Sequence, residues 1–317
     1  MREIRVASPT ELIVAETPMP VPGPGEVLVR NRYFTVVAAL RTLLAGGVPG
    51  APMPALRTGD VPSGPAIGEI VDGPGTGRLV RHLRGWREYA TVPLAETDPV
   101  DETLPDPVAH FANGAAAYGA LTRAVTIAPG DTVLVTGGAG SVGTMAGQIA
   151  RLLGAGRVVG STGSAGKADR MLALGYDAVV TRPIGDQLAK AAPDGVDVIF
   201  DTVGGDDLRA ALGAANRRAR VALIGSLAGQ LGAHGTGTTG PVEIDTYQLI
   251  LKQITMTGHV GGNPEISAEW DARYAAWLRA GRIEFPHVLV DGIEQAPQAL
   301  RDVWRGRHLG TVVVRLA

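Results

Sequence analysis

Two textures of hydrophobic and polar positions divide the chain. Up to about residue 109, short runs such as Glu3–Val6, Glu26–Arg32, Ile67–Val71 and Trp86–Val92 are interrupted by turn clusters, among them Pro20–Gly25 and Asp72–Gly77. Short β-type runs bounded by Gly and Pro predict half-buried strands joined by tight turns. From His110 onward, apolar runs alternate with helix-period stretches, the pattern of βαβ units around a parallel sheet. Strands are expected at Thr132–Thr136, Arg157–Ser161, Ala178–Val180, Val196–Asp201, Arg220–Ile224 and Ile254–His259. Helices are expected between them at Ser141–Leu153, Lys167–Leu174, Ile184–Ala191 and Asp206–Ala214. In the first, Val142, Met145, Ile149 and Leu152 recur on one face, which should be buried. Gly225–Gly240 reads as a long loop. A helix at Glu269–Ala280, with Trp270, Tyr274 and Trp277 on its inner face, precedes closing β segments at Val288–Val290 and Thr311–Leu316.

Composition adds exclusions. At about 150 residues per domain, 317 residues suggest two domains. Glycine supplies 44 of them, so special backbone positions are many. A net charge of −2 carries no basic footprint for nucleic acid. No apolar run reaches the roughly 18 residues that span a membrane, and the first residues lack a secretory pattern, so a cytoplasmic chain is expected. There is no cysteine, which excludes disulfides, thiol nucleophiles and thiolate zinc sites. The six histidines form no HxxxH or HxH pair, and no metal site is expected.

The most specific local signal is an apolar strand running into Gly138-Ala-Gly140-Ser-Val-Gly143 and then a helix. The first glycine allows the turn, the second lets backbone approach a pyrophosphate, and the third lets helix and strand pack closely. Gly138, Gly140, Ser141, Val142 and Gly143 are therefore candidate cofactor contacts, with the helix N-terminus supplying N–H groups. An NAD site usually carries Asp or Glu at the end of the second strand. That strand here ends in Gly163-Ser164-Ala-Gly-Lys167 without a carboxylate. A hydroxyl and an ammonium suit a 2′-phosphate instead, and Arg182 stands just beyond the third strand. The expected cofactor is NADPH. Ser141 lies in no GxSxG elbow, so a serine hydrolase is excluded.

These segments resemble the medium-chain dehydrogenase/reductase superfamily. Pro22–Arg30, Gly85–Val92, Gly114–Tyr118, Val135–Gly143, Val198–Gly205, Ile254–His259 and Leu309–Val314 follow in that superfamily's order. The likeness is strongest to its zinc-free branches, the alkenal/prostaglandin double-bond reductases and the quinone oxidoreductases. It implies an α/β fold: a GroES-like β-rich catalytic domain from residues 1–109 and 283–317, and a doubly wound Rossmann NADPH domain from residues 110–282. It also implies a small-molecule substrate and a homodimer joined through the edge strand Ile254–His259. Gly163, Ser164 and Lys167 match the segment that grips the 2′-phosphate, while Arg182 stands where many relatives have Tyr. Thr202, Gly225, Ser226, Gly258, His259, Val260 and His308 fall on cofactor-flanking positions. Arg41 matches the family, whereas Val37, Thr202 and His308 replace an Asp and two Asn, and Leu251 replaces a family Tyr.

The resemblance implies hydride transfer to the β-carbon of an electron-poor alkene, with a quinone as the alternative acceptor. A nucleotide-binding member without redox turnover is a third reading. Without a metal, charge developing on the substrate oxygen needs hydrogen-bond donors, and a proton must reach the α-carbon. Tyr247, His259 and Asn113 are the candidates. Each has a plainer alternative: a ring anchoring a loop, a histidine on the edge strand, and a helix cap. Asp201, ending the fourth strand, reads as structural.

Overall fold

A computed structural model describes residues 1–50, 53–231 and 238–317. The chain divides into two compact units, Met1–Phe111 with His287–Ala317, and Ala112–Pro286.

The first unit opens with an antiparallel pair, β1 (Arg2–Ser8) and β2 (Glu11–Glu16). Next comes the long β3 (Glu26–Val36), whose Val27, Val29 and Asn31 point inward while the residues between them stay partly exposed. After the short α1 (Leu40–Leu44) the strands β4 (Ala66–Asp72), β5 (Leu79–His82), β6 (Tyr89–Pro93) and β7 (Asp98–Pro99) follow. Within the segment 51–64, residues 51 and 52 lie outside the described residues. The backbone N–H groups of Leu56 and Gly59 donate to Leu43 and Val6, tying the remainder down.

The second unit opens with α2 (Gly114–Gly119), which widens into a π turn at Ala120–Ala124. It then winds through β8 (Thr132–Val135), α3 (Ser141–Leu152), β9 (Arg157–Thr162), α4 (Ala168–Ala173), β10 (Ala178–Thr181), α5 (Gly185–Ala191) and β11 (Val196–Asp201). The elements α6 (Gly205–Gly213), β12 (Ala215–Leu223), α7 (Leu227–Leu231), α8 (Thr246–Lys252), β13 (Thr255–Gly258) and α9 (Pro264–Arg279) complete it. Among the described residues its six strands are all parallel, in the order β10-β9-β8-β11-β12-β13. The order reverses between β8 and β11, the place where such sheets open a crevice at their carboxyl ends. Leu134, Val159, Ile199, Leu208 and Val221 fill the core beneath it.

The chain then returns to the first unit as β14 (His287–Asp291), α10 (Ala296–Trp304) and β15 (Thr311–Arg315). There the sheet runs β14-β15-β3-β4-β5-β7, with β6 also paired to β3. One side of it buries Phe34, Leu40, Trp86, Leu300 and Val314 together.

Several elements differ from the sequence expectation. α3 is buried all round from Gly143 to Ala150, while Val142 and Leu152 are only half-buried, because α2, β8 and β9 all pack on it. β12 begins at Ala215 because Ala215 pairs with Val196 ahead of a register shift, carrying the polar Asn216–Arg218 run along the strand. α9 begins at Pro264, not Glu269. The Asn263 carboxamide oxygen accepts from the N–H groups of Glu265 and Ile266, and Pro264 occupies the first turn, where its missing N–H costs nothing. The 225–240 segment is not wholly loop, since α7 lies in it; residues 232–237 are outside the described ones. Among the described residues, no helix is long and apolar enough to cross a membrane.

Candidate active site

The glycine turn at the end of β8 is built from backbone. Gly138 N–H donates to Ser161 O on β9 at 2.8 Å, and Gly140 N–H to Gly137 O at 2.9 Å. Gly137 takes φ +64°, a left-handed value that favours glycine; the sequence reading had not singled it out. A Cβ on Gly143 would lie 2.3 Å from Gly137 O and 2.7 Å from Gly138 Cα. Neither backbone atom can yield, so the third glycine is what lets α3 start against the turn. A Cβ on Gly140 would stand 3.3 Å from Gly137 O. Gly140 is the N-cap of α3 and offers no side chain, so no side chain caps the first N–H groups of this 12-residue helix. An open helix N-terminus against a glycine cradle is where a pyrophosphate fits.

Beneath the turn lies Tyr176, which no local motif singles out. Its hydroxyl donates to Gly143 O at 2.7 Å and lies 3.3 Å from Gly138 O. Full burial pushes its ionisation far up, which keeps it a donor. The ring fills space that only glycines leave: Cβ atoms on Gly138, Gly147 and Gly160 would lie 2.9, 2.4 and 2.7 Å from its atoms.

The end of β9 carries Gly163, Ser164 and Lys167. Lys167 is half-buried, and burial lowers its pKa. Arg182, the first residue after β10, donates its backbone N–H to Thr162 O at 3.2 Å. Its guanidinium reaches a residue absent from the sequence reading, Asp207 in the first turn of α6, with Nε 3.4 Å from Oδ2. Beside this pair, Pro183, Ile184, Asp186, Asp206 and Arg209 help line a groove of about 260 Å³.

At the end of β11 the side chains tie the two central strands together. Thr202 donates through Oγ1 to Thr136 O at 2.8 Å, so that hydroxyl is already engaged. The buried Asp201 carboxylate accepts from Thr136 Oγ1 at 2.6 Å and from Gly204 N–H at 2.9 Å. Burial pushes its pKa up, and these hydrogen bonds oppose the rise. Asp201 is a latch between strand ends. Gly225 approaches it from β12, donating its N–H to Asp201 O. The Ser226 hydroxyl is hemmed in by Gly240, whose Cβ would fall 1.8 Å from it.

The three acid–base candidates occupy different surroundings. Asn113 precedes α2 without capping it; its Nδ2 instead points to Ser141 Oγ at 3.4 Å, at the first residue of α3. That corrects the helix-cap alternative and places the amide beside the glycine turn. His259 follows β13, and its ring lies against α2, where a Cβ on Gly119 would be 2.8 Å from Nε2. Burial lowers the pKa of this half-buried imidazole, which favours the neutral form. Tyr247 stands in the first turn of α8, 67% exposed, and does not pack as a half-buried anchor. Gly258 ends β13 opposite Leu223, and Val260 beyond it is 77% exposed. His308 belongs to the other unit, in the turn between α10 and β15.

A family of zinc-binding dehydrogenases matches residues 141–279, and an oxidoreductase N-terminal domain family matches residues 6–100. Zinc does not fit the donors of this chain: it has no cysteine, and no group of three His, Asp or Glu among the described residues is placed to hold a metal. A Bacillus subtilis protein named for NADP-dependent oxidoreductase activity is 30% identical, the match covering 95% of this chain and 91% of that one. The NADPH-dependent curcumin reductase of Escherichia coli is 27% identical over 98% of this chain and 93% of its own. The structure of CurA from Vibrio vulnificus in complex with NADPH superposes with a TM-score of 0.89 at 26% identity, covering 100% of this chain and 99% of that one. The glycine cradle, the cation-bearing end of β9 and these likenesses agree, and the chain is an NADPH-dependent oxidoreductase belonging to the medium-chain dehydrogenase/reductase superfamily.

Proposed function

We propose that the protein reduces the activated carbon–carbon double bond of a small α,β-unsaturated carbonyl compound without a metal. The observation that carries this reading is a glycine cradle for a nucleotide in a chain with no thiolate, with the Asn113 amide beside the turn. Relatives named prostaglandin reductase and 2-alkenal reductase, 27% and 26% identical, support the same substrate class. When bound, NADPH supplies a hydride. Gly138, Gly140 and Gly143, with the N–H groups of Ser141 and Val142, hold the pyrophosphate, and Gly163, Ser164, Lys167 and Arg182 hold the 2′-phosphate. Thr202, Gly225, Ser226, Gly258 and Val260 border the rest of the cofactor. Asn113 and the neutral His259 donate hydrogen bonds to the substrate oxygen as it gains charge. Tyr247, an exposed phenol, delivers the proton.

Turnover of NADPH with a panel of enones, enoyl thioesters and quinones, with products identified, tests this. Oxidation by enones with saturated carbonyl products supports it. Oxidation by quinones alone moves the assignment to the quinone branch, and tight binding without turnover by any acceptor sinks both redox readings. Tyr247→Phe should lose most turnover and keep NADPH affinity; unchanged turnover hands the proton step to water. We also propose a homodimer joined through β13, which among the described residues pairs only with β12 and has exposed Ile250, Leu251 and Val260 nearby. Light scattering at micromolar concentration that gives a monomer mass would reject it.

A further inference from the structure

NADPH differs from NADH by one phosphate, so selectivity must come from groups that meet a dianion at the adenosine ribose. Lys167 supplies one cation, on a flexible stem. Arg182 is different, because the fold restrains it at several points. Its backbone N–H is bonded to Thr162 O, which fixes its start beside the end of β9. Its Nε lies 3.4 Å from Asp207 Oδ2, and Asp207 is only 4% exposed. The same oxygen is 3.4 Å from Ser161 Oγ, so the carboxylate is itself held from β9. With Nε turned inward, the guanidinium carbon and one terminal nitrogen lie 3.8 Å from where a Gly163 Cβ would stand. The outer edge of the fork therefore covers the turn that begins Gly163-Ser-Ala-Gly-Lys167. Two terminal N–H groups side by side match two phosphate oxygens, which a lysine cannot do.

We propose that Asp207 is a positioning residue for cofactor choice: it holds Arg182 over the Gly163–Lys167 turn so that the guanidinium grips a phosphate monoester on the ribose. This rests on the cofactor reading above. Burial raises the Asp207 pKa, and the Arg182 charge opposes that rise, so the buried carboxylate and its arginine depend on each other. The acidic residue that binds a ribose hydroxyl in NAD enzymes is missing from the end of β9. Asp207 does not replace it, since its Oδ2 is engaged by Ser161 and Arg182 and it is almost wholly covered.

The test uses the full chain and four probes: NADPH, NADH, adenosine 2′,5′-bisphosphate and 5′-AMP, with affinities from calorimetry. Asp207→Asn should weaken NADPH and the bisphosphate about tenfold, a loss typical of one charge-assisted contact, and leave NADH and 5′-AMP within about twofold. Arg182→Ala should do the same, and the double variant should be no worse than Arg182→Ala alone. In turnover, KM for NADPH should rise with kcat unchanged. Equal weakening of all four probes by Asp207→Asn, or additive losses in the double variant, would overturn the proposal by showing a merely structural carboxylate. Weakening of NADH alone would show Asp207 to be a ribose ligand, and would overturn it as well. If Asp207→Asn fails to fold, Arg182→Lys decides: it keeps the charge without the fork, and unchanged NADPH affinity sinks the argument. Wild-type protein that binds NADH as tightly as NADPH would refute the cofactor reading itself, a result separate from any of the variants.

Discussion

Acid should destabilise the first unit through one histidine. His82 ends β5 and is 5% exposed. Its Nδ1 accepts the backbone N–H of Arg84 at 3.0 Å, so the neutral ring carries its proton on Nε2. Protonating Nδ1 would set two donors face to face inside the unit. Burial, and then the charges of Arg87 and Arg84, depress the pKa from 6.5 to about 4. Between those values the unfolded chain binds the proton and the folded one does not, so stability rises with pH across this window and is lost as pH falls through it. At about 1.4 kcal/mol per pH unit, the loss on reaching pH 4 is roughly 3 kcal/mol, a sizeable part of a typical domain's 5–15 kcal/mol. Urea unfolding followed by tryptophan fluorescence and circular dichroism at intervals from pH 7.5 to 4 measures it. His82→Gln, which cannot titrate, should flatten the curve over this range for the transition it affects. Parallel pH curves for the two proteins would refute the reasoning.

Three further outcomes follow from the glycine turn and the α2–α9 contact. Gly143→Ala places a methyl 2.3 Å from a fixed carbonyl oxygen, so NADPH and NADH affinity should both fall by at least tenfold in calorimetric titration. Tyr176→Phe removes one buried hydroxyl bond and should cost about 1 kcal/mol in urea unfolding. Tyr176→Ala opens a cavity and should cost about 3–5 kcal/mol; equal losses in the two variants would show that the ring is not packed as described. Gly114→Ala drives a methyl to within 1.9 Å of Trp270 Cζ2, so it should lower the melting temperature by several degrees, and Trp270→Phe in the same chain should recover part of the loss.

Legibility from sequence followed the range of the interaction. β8, the turn at Gly138–Gly143 and α3 were readable because hydrophobic period and glycine spacing both lie within about 20 consecutive residues. The turn that follows β9, Gly163–Lys167, was readable for the same reason. α8 and α10 were not expected, and α9 starts at Pro264, ahead of the expected Glu269, because a proline fits the first turn of a helix. Among the candidate donors, sequence proximity to a motif was a poor guide. Asn113 turned from its helix toward Ser141, and His259 met Gly119, about 140 positions away along the chain.

What the sequence determined by itself was the succession of strands in the second unit, the glycine turn after the first of them and the exclusion of thiolate chemistry. Each of these depends on neighbours in the chain or on composition. What only the tertiary structure decided was which side chains those elements bring together. Tyr176 reaches under the turn from beyond α4, Asp207 reaches Arg182 from α6, and β4 pairs beside His82, which is 5% exposed. The physical reason is that such contacts depend on strand order and helix seating. Nothing in local spacing records that order until the parallel sheet sets β9 beside β8 and β10 beside β9.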